Sequence, residues 1–329
     1  MKRKELICAL ALALSLVLTA VTPAFSLFGS KEEKQETTVE EGATAVRDLT
    51  ISTYQDVPYT AQFLAGEGQE GALTFSVATQ PKHGAVVIDG DTFTYTPAAG
   101  RTGKDSFTYT AADEEGRVSA PALVDITVAK PKTAVTYADL SGSPACAAAI
   151  RLAELGVFTG SQVGDSYFFE PERTVTRGEF LAMAMETAGV EAGEVSLTGF
   201  ADDAAIPTWA KGYASTAVKN GLLQGVSSES GAALAADAPI TVGQAAVLLD
   251  RTLSVADVDL ETWYSGEESV PTWAAQAVAN LESVSVLSAG SFGAETVDAP
   301  VTRADAAQML AAASWLLEGE DSGLLDWLS

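Results

Sequence analysis

Val175-Thr176-Arg177-Gly178-Glu179, Ile240-Thr241-Val242-Gly243-Gln244 and Val301-Thr302-Arg303-Ala304-Asp305 are three versions of one five-residue stretch. Their threonines, Thr176, Thr241 and Thr302, stand 65 and then 61 residues apart. Self-similarity at this period marks a chain built from repeated units. Thr-x-x-Glu and Thr-x-x-Gln form the capping box: the hydroxyl accepts from the backbone N–H three residues on, and the Glu or Gln side chain reaches back. Asp305 has a shorter reach and predicts a poorer version. Thr176, Glu179, Thr241, Gln244, Thr302 and Asp305 therefore have a structural role as helix caps.

Upstream of each stretch, eleven residues align without gaps: Tyr137 to Ala147, Phe200 to Ala210, and Tyr264 to Ala274. Each starts with an aromatic and carries proline at its eighth position, Pro144, Pro207 and Pro271. Thr-Trp-Ala follows Pro207 and Pro271, which reads as a helix start with proline in the first turn. A second marker comes later: Gly156-Val157-Phe158-Thr159-Gly160, Gly221-Leu222-Leu223-Gln224-Gly225, and the weaker Ser285-Val286-Leu287-Ser288-Ala289. Trp209, Tyr213 and Ala217, with Ala210, Ala214 and Val218, make a helical apolar stripe. These markers delimit repeats at 131–192, 193–257 and 258–318.

Capping does not account for the arginines. Arg177 and Arg303 fall at the first helical position, where the helix dipole opposes a cation by about 0.3–1 kcal/mol if exposed. An ion pair with a carboxylate of this acidic chain and an anionic ligand would each offset that cost. Val242 holds the place in repeat two, so a helix starts there without the arginine, which favours a functional role.

Residues 47–130 alternate apolar and polar instead. Leu73, Phe75 and Val77, then Phe93 and Tyr95, Phe107 and Tyr109, and Val124, Ile126 and Val128 follow period two. Asp89-Gly90-Asp91 signals a hairpin turn, and Pro97 to Gly103 is rich in turn residues. The pattern predicts an antiparallel β-sandwich. Thr79-Gln80-Pro81-Lys82-His83-Gly84, Phe93-Thr94-Tyr95-Thr96-Pro97 and Gly103-Lys104-Asp105-Ser106-Phe107-Thr108-Tyr109-Thr110 resemble the bacterial Ig-like, cadherin-like repeats of large surface proteins. That resemblance implies a spacer or adhesive module. Some members bind calcium, for which Asp105, Asp113, Glu114 and Glu115 are the candidates here; the last three also read as a solvated turn.

The C-terminal repeats resemble the S-layer homology (SLH) domain. The aromatic-x-Asp start, Trp-Ala helix, Gly-hydrophobic-x-x-Gly turn, Phe169-x-Pro171 and Thr-Arg-x-acid stretch occur in that family's order. The resemblance implies an all-α pseudo-trimer bundle of three repeats whose grooves take a pyruvylated secondary cell-wall polysaccharide. Carried over position by position, it singles out Arg177 and Arg303, then Trp209 and Trp273, then Gly160 and Gly225. Asp139 and Asp202 read as loop or cap acceptors, and most of each tryptophan ring as core. Three departures stand out: Val242 replaces the arginine in repeat two, Cys146 the tryptophan in repeat one, and Gly266 the aspartate in repeat three. At most two grooves are then competent.

Lys2-Arg3-Lys4, the apolar run from Leu6 to Val21 and Ala24-Phe25-Ser26 read as a secretory signal peptide over 1–26. Residues 27–46 read as a flexible acidic linker. Leu324-Leu325-Asp326-Trp327-Leu328-Ser329 ends a tail (319–329) without the apolar stretch and basic residues of a covalent wall-sorting signal. The net charge is −25, from 44 acidic and 19 basic residues. Such a surface repels nucleic acid. It also repels anionic polymers at long range, but screening limits this to about 8 Å. Beyond the leader stand one cysteine, Cys146, and one histidine, His83, in a turn. They leave no intramolecular disulfide, no Cys/His zinc site and no two-histidine metal site, and no cofactor is expected.

The expectation is a non-catalytic cell-surface protein anchored non-covalently to the cell wall by SLH-like repeats, with the Ig-like domain as spacer or adhesive. Its expected partners are the wall polysaccharide and a surface-layer or host-cell partner through that domain, with no membrane span after cleavage. An adhesin working chiefly through residues 47–130 is the alternative. A glycan hydrolase using two carboxylates is a third reading, for which no unassigned region is large enough.

Overall fold

The computed structural model describes residues 44–66, 71–264, 271–287 and 294–325. The stretch read as a secretory leader, 1–26, and most of the acidic segment lie outside these residues, as do Gly266, Ser288, Ala289 and the last four residues. Among the described residues, no helix is long and apolar enough to cross a membrane.

The alternating region folds into two facing sheets. Its strands are β1 (Leu49–Tyr54), β2 (Tyr59–Gln62), β3 (Thr74–Thr79), β4 (Gly84–Asp89), β5 (Thr92–Pro97), β6 (Gly103–Ala112) and β7 (Ala122–Ala129). One sheet has the order β1-β7-β6-β3 and the other β2-β5-β4. Inward positions supply the core: Phe93, Tyr95, Phe107, Tyr109, Val124, Ile126 and Val128 are all buried. Phe63 joins them, with its ring 4.6 Å from Tyr109 and 4.8 Å from Phe93. The expected all-antiparallel sandwich is corrected at one edge, where β1 runs parallel to β7, Leu49 opposite Val124. Hairpin signals report only on strands adjacent in sequence, and this pair joins the first strand to the last.

The sandwich also begins earlier than the linker reading placed it. Thr44 is buried and donates to Asp113, and Val46 bridges to Ala65. Three of the four candidate calcium carboxylates, Asp105, Asp113 and Glu115, are already engaged. Asp105 accepts from the N–H groups of Lys82, His83 and Ser106 and from the Tyr95 hydroxyl. Burial pushes its carboxyl up, but these donors prevail and hold it below the usual range. Asp113 pairs with Arg117 at 2.7 Å. Among the described residues no cluster of three or more His, Cys, Asp or Glu is placed to hold a metal.

The remainder is mainly helical: α1 (Cys146–Leu155), α2 (Arg177–Thr187), α3 (Thr208–Lys219), α4 (Val242–Leu253), α5 (Leu260–Tyr264), α6 (Thr272–Ser283), α7 (Ala294–Val297) and α8 (Arg303–Leu325). It is not all-α: two short hairpins, β8 (Ser161–Val163) with β9 (Ser166–Phe168) and β10 (Val226–Ser228) with β11 (Gly231–Ala233), follow the glycine turns. Gly156 and Gly221 take the left-handed conformation after the first helices, and Ser285 takes it in repeat three. Residues 319–325, read as part of a separate tail, continue α8.

The three capped helices meet in a ring. Val175 N–H donates to Val301 O, Val301 N–H to Ile240 O, and Ile240 N–H to Val175 O, at 2.9, 2.9 and 3.0 Å. The first-turn donors point into the next repeat. Arg177 and Gly178 N–H reach Ala238 and Ala236 O, Val242 N–H reaches Ala299 O, and Arg303 and Ala304 N–H reach Arg173 and Pro171 O. Helix starts normally leave such donors without intrahelical partners. Here they bind the repeats into a cycle around one core that includes Phe180, Leu181, Leu249, Val301 and Leu310.

Candidate binding grooves

Each cap is formed by the residues its sequence suggests. Thr176 and Thr241 accept from the backbone N–H of Glu179 and Gln244, whose side chains reach back to the cap N–H. Asp305 closes the same reciprocal pair, accepting from Thr302 N–H at 2.9 Å while its own N–H donates to Thr302 Oγ1 at 3.2 Å. The shorter side chain is thus no handicap here.

The caps set Arg177, Val242 and Arg303 on the first helical residue, and both arginines are only 8% exposed. Arg177 Nε donates to Leu234 O at 2.8 Å and Nη1 to Gln244 Oε1 at 2.6 Å. Arg303 Nη1 donates to Phe169 O and to Glu170 Oε2, both at 2.9 Å, with the guanidinium 4.9 Å from the Phe158 ring centre. The loops bearing the two carbonyls are fastened alike. Asp139 accepts from Phe169 and Glu170 N–H, and Asp202 from Leu234 and Ala235 N–H.

The two arginines differ electrically. Arg303 is paired with Glu170, whereas Arg177 makes no ion pair among the described residues. Burial pushes the Arg177 guanidinium down from its ordinary value, against a smaller opposing pull from Asp202. A buried cation held only by neutral oxygens retains strong attraction for an anion.

Two grooves open beside these arginines, each assembled from all three repeats. The first, of 360 Å³, brings together Arg177, the Leu222–Val226 turn, Gln244 and Arg251 of α4, and Trp273. The second, of 180 Å³, joins Arg303, Phe158, Phe169, Glu179 and Met183 to Trp209. Trp209 and Trp273 are each 52% exposed, so the reading of these rings as mostly core is corrected. A glycine after the first helical residue leaves room for Trp273, since a Cβ on Gly243 would meet its Cη2 at 2.7 Å, whereas one on Gly178 would stand at an ordinary 3.5 Å from Trp209 Cη2.

Gly225 lines the first groove, whereas Gly160 does not line the second. Both have a backbone reason to be glycine. Their φ angles are +80° and +73°, and a Cβ would come within 2.7 Å of Ala233 O or 2.4 Å of Phe168 O. Sequence reasoning missed Arg251. Its signal was position: it lies two turns beyond Gln244, on the same face of α4, as only a helical reading of repeat two reveals.

Comparison with known proteins supports a coarser picture. The bacterial Ig domain family (Big_9) matches residues 40–127. The surface-layer 125 kDa protein of Lysinibacillus sphaericus is 34% identical over 104 residues, which is 32% of this chain and 8% of that protein. The chain therefore spans a small fraction of the curated relative it matches. Similar solved structures include an endo-fucoidan hydrolase of glycoside hydrolase family 107 (19% identity, 28% of this chain and 17% of that one, TM-score 0.21). Others are the D00-D0 domain of intimin (16%, 28% and 50%, 0.20) and the CbhA fibronectin(III)-like modules of Clostridium thermocellum (15%, 27% and 95%, 0.17). At these scores nothing further follows from them. The chain thus carries a bacterial Ig domain followed by helices, and with its surface-layer relative it points to a cell-surface protein.

Proposed function

We propose that this protein is held non-covalently on the cell wall by its helical repeats, which take an anionic, pyruvylated secondary wall polysaccharide in the two arginine grooves. The Ig-like domain serves as a non-catalytic spacer or adhesive module. The observation that carries this reading is Arg177: a buried cation without an ion pair among the described residues, in an open groove with an exposed tryptophan and a second arginine. Acidic sugars present a carboxylate for the guanidinium and an apolar face for the indole.

A charge-assisted hydrogen bond contributes roughly 1.5–3 kcal/mol, so one groove alone binds weakly. Two grooves engaged on one polymer chain raise the apparent affinity through effective concentration. The first groove is the stronger candidate, since the second has Glu179 in its lining and its Arg303 is already paired with Glu170. The alternative, an adhesin working chiefly through the sandwich, calls for exposed aromatics there. Among the described residues of the sandwich the exposed large apolar side chains are Val87, Val118 and Leu123, none of them aromatic. The test is sedimentation of the protein with purified wall sacculi before and after the secondary polymer is stripped. Loss of binding on stripping supports the reading; equal binding to stripped sacculi refutes it.

A further inference from the structure

Two departures of the repeats, Val242 and Cys146, fall to one groove. The first groove takes its arginine from repeat one, its helix α4 from repeat two and its tryptophan from repeat three. The second takes Arg303 from repeat three, α2 residues from repeat one and Trp209 from repeat two. Cyclic order then assigns a third groove to Val242 of repeat two, α8 of repeat three and Cys146 of repeat one. Arginine and tryptophan are thus both lost from the same groove. Asp139 and Asp202 fasten the carbonyl loops of the second and first grooves, and in the sequence repeat three has Gly266 at their aligned position.

The third groove is covered by the chain itself. Val286, Leu287, Gln308, Met309 and Ala312 hold the positions that Leu222, Leu223, Val247, Leu248 and Arg251 hold in the first. Facing them across a residual 200 Å³ space are β1 and β2, through Leu49, Ile51, Tyr59 and Ala61. Cys146, at the tryptophan place, packs with Val57 and Tyr59 against Tyr54, Ala147 and Ile150. The Tyr54 hydroxyl donates to Glu154 at 2.7 Å, the Tyr59 ring lies 6.4 Å from that of Trp315, and Arg47 lies over Trp263. Both β1 and β2 are edge strands of their sheets. An uncovered edge is a template for unwanted pairing, and burying it against another element removes that hazard.

We infer that the third groove, with Val242 and Cys146 where the other two have arginine and tryptophan, is a docking site for β1 and β2 of the chain's own Ig-like domain. The docking stands whether or not the other grooves bind polysaccharide. Its test is Ala312→Arg in the full chain. Arg251 occupies the same helical position in repeat two, so the helix itself accepts the change, while the side chain intrudes on β2. Two readouts apply: hydrogen exchange of peptides spanning 49–62 and 285–312, and alkylation of Cys146 followed by peptide mass spectrometry. The expected result is faster exchange confined to those peptides and Cys146 alkylation accelerated roughly tenfold or more, as local opening exposes the interface. Unchanged exchange and alkylation in a folded variant would overturn the inference, as would unprotected β1 and β2 in the unaltered chain. If Ala312→Arg does not fold, Tyr59→Ala opens the same interface from the sandwich side and is judged by the same two outcomes.

Discussion

Arg177 and Arg303 occupy the same helical position but different electrostatic settings, and that difference makes the functional reading sharper than the sequence alone allowed. Arg303 meets Glu170, the ion pair that an acidic chain offers, while Arg177 is held by a carbonyl and an amide. Arg177→Ala should therefore weaken sacculus binding several-fold more than Arg303→Ala. Equal losses in parallel binding isotherms would contradict that ranking. The caps are structural: Thr176→Ala should cost about 1 kcal/mol of stability, read from denaturant midpoints. That variant should leave polymer affinity nearly unchanged, since Thr176 lies at neither groove wall. The capping residues were legible in sequence because the box is local, spanning four residues. The arginine partners were not, because Leu234 and Gln244 lie 57 and 67 residues from Arg177.

At the level of elements, Gly243, the second residue of α4, makes room for Trp273. Alanine is the better helix former by about 1 kcal/mol. In Gly243→Ala, however, the new methyl would sit 2.5 Å from Val297 and 2.7 Å from Trp273. Overpacking of this kind costs typically 1–3 kcal/mol, so Gly243→Ala should be net destabilising and should shift tryptophan fluorescence. In Gly178→Ala the nearest contact is 3.2 Å, and a change within about 1 kcal/mol is expected, the helix gain partly offsetting the crowding. Chemical denaturation of both variants checks the contrast. Alanine already stands at this place in repeat three, as Ala304, and it is the tryptophan of repeat one that is missing. Sequence showed both facts but could not pair them, because the groove takes its parts from three repeats and their order around the ring is set by tertiary hydrogen bonds. The parallel β1–β7 pair was hidden for the same reason, since turn signals specify only neighbours.

Across the molecule, the described residues of the sandwich and of the helices fall in one compact unit, so they are expected to respond to pH together. Hydrogen bonding by Thr44 holds the Asp113 carboxyl down at about 2, and Lys211 does the same for Asp203. Both folded values lie below the ordinary 3.8, so protons bind the unfolded chain first. Their contribution to stability is complete above about pH 4 and is lost as pH falls toward 2. Thermal midpoints should thus decline between pH 4 and 2, and Asp113→Asn or Asp203→Asn should flatten the decline; an unchanged slope in both would contradict the assignment. Raised salt should weaken polymer binding, because Arg251 is exposed and its attraction is screened.

The central claim, that the grooves hold the chain to a wall polymer, is tested most directly by one comparison. The protein and its Arg177→Ala/Arg303→Ala double variant would be sedimented with intact sacculi and with sacculi stripped of secondary polymer. The account predicts binding by the unaltered protein to intact sacculi alone, with the double variant left in the supernatant. Equal sedimentation of the two proteins, or binding that survives stripping, would contradict it.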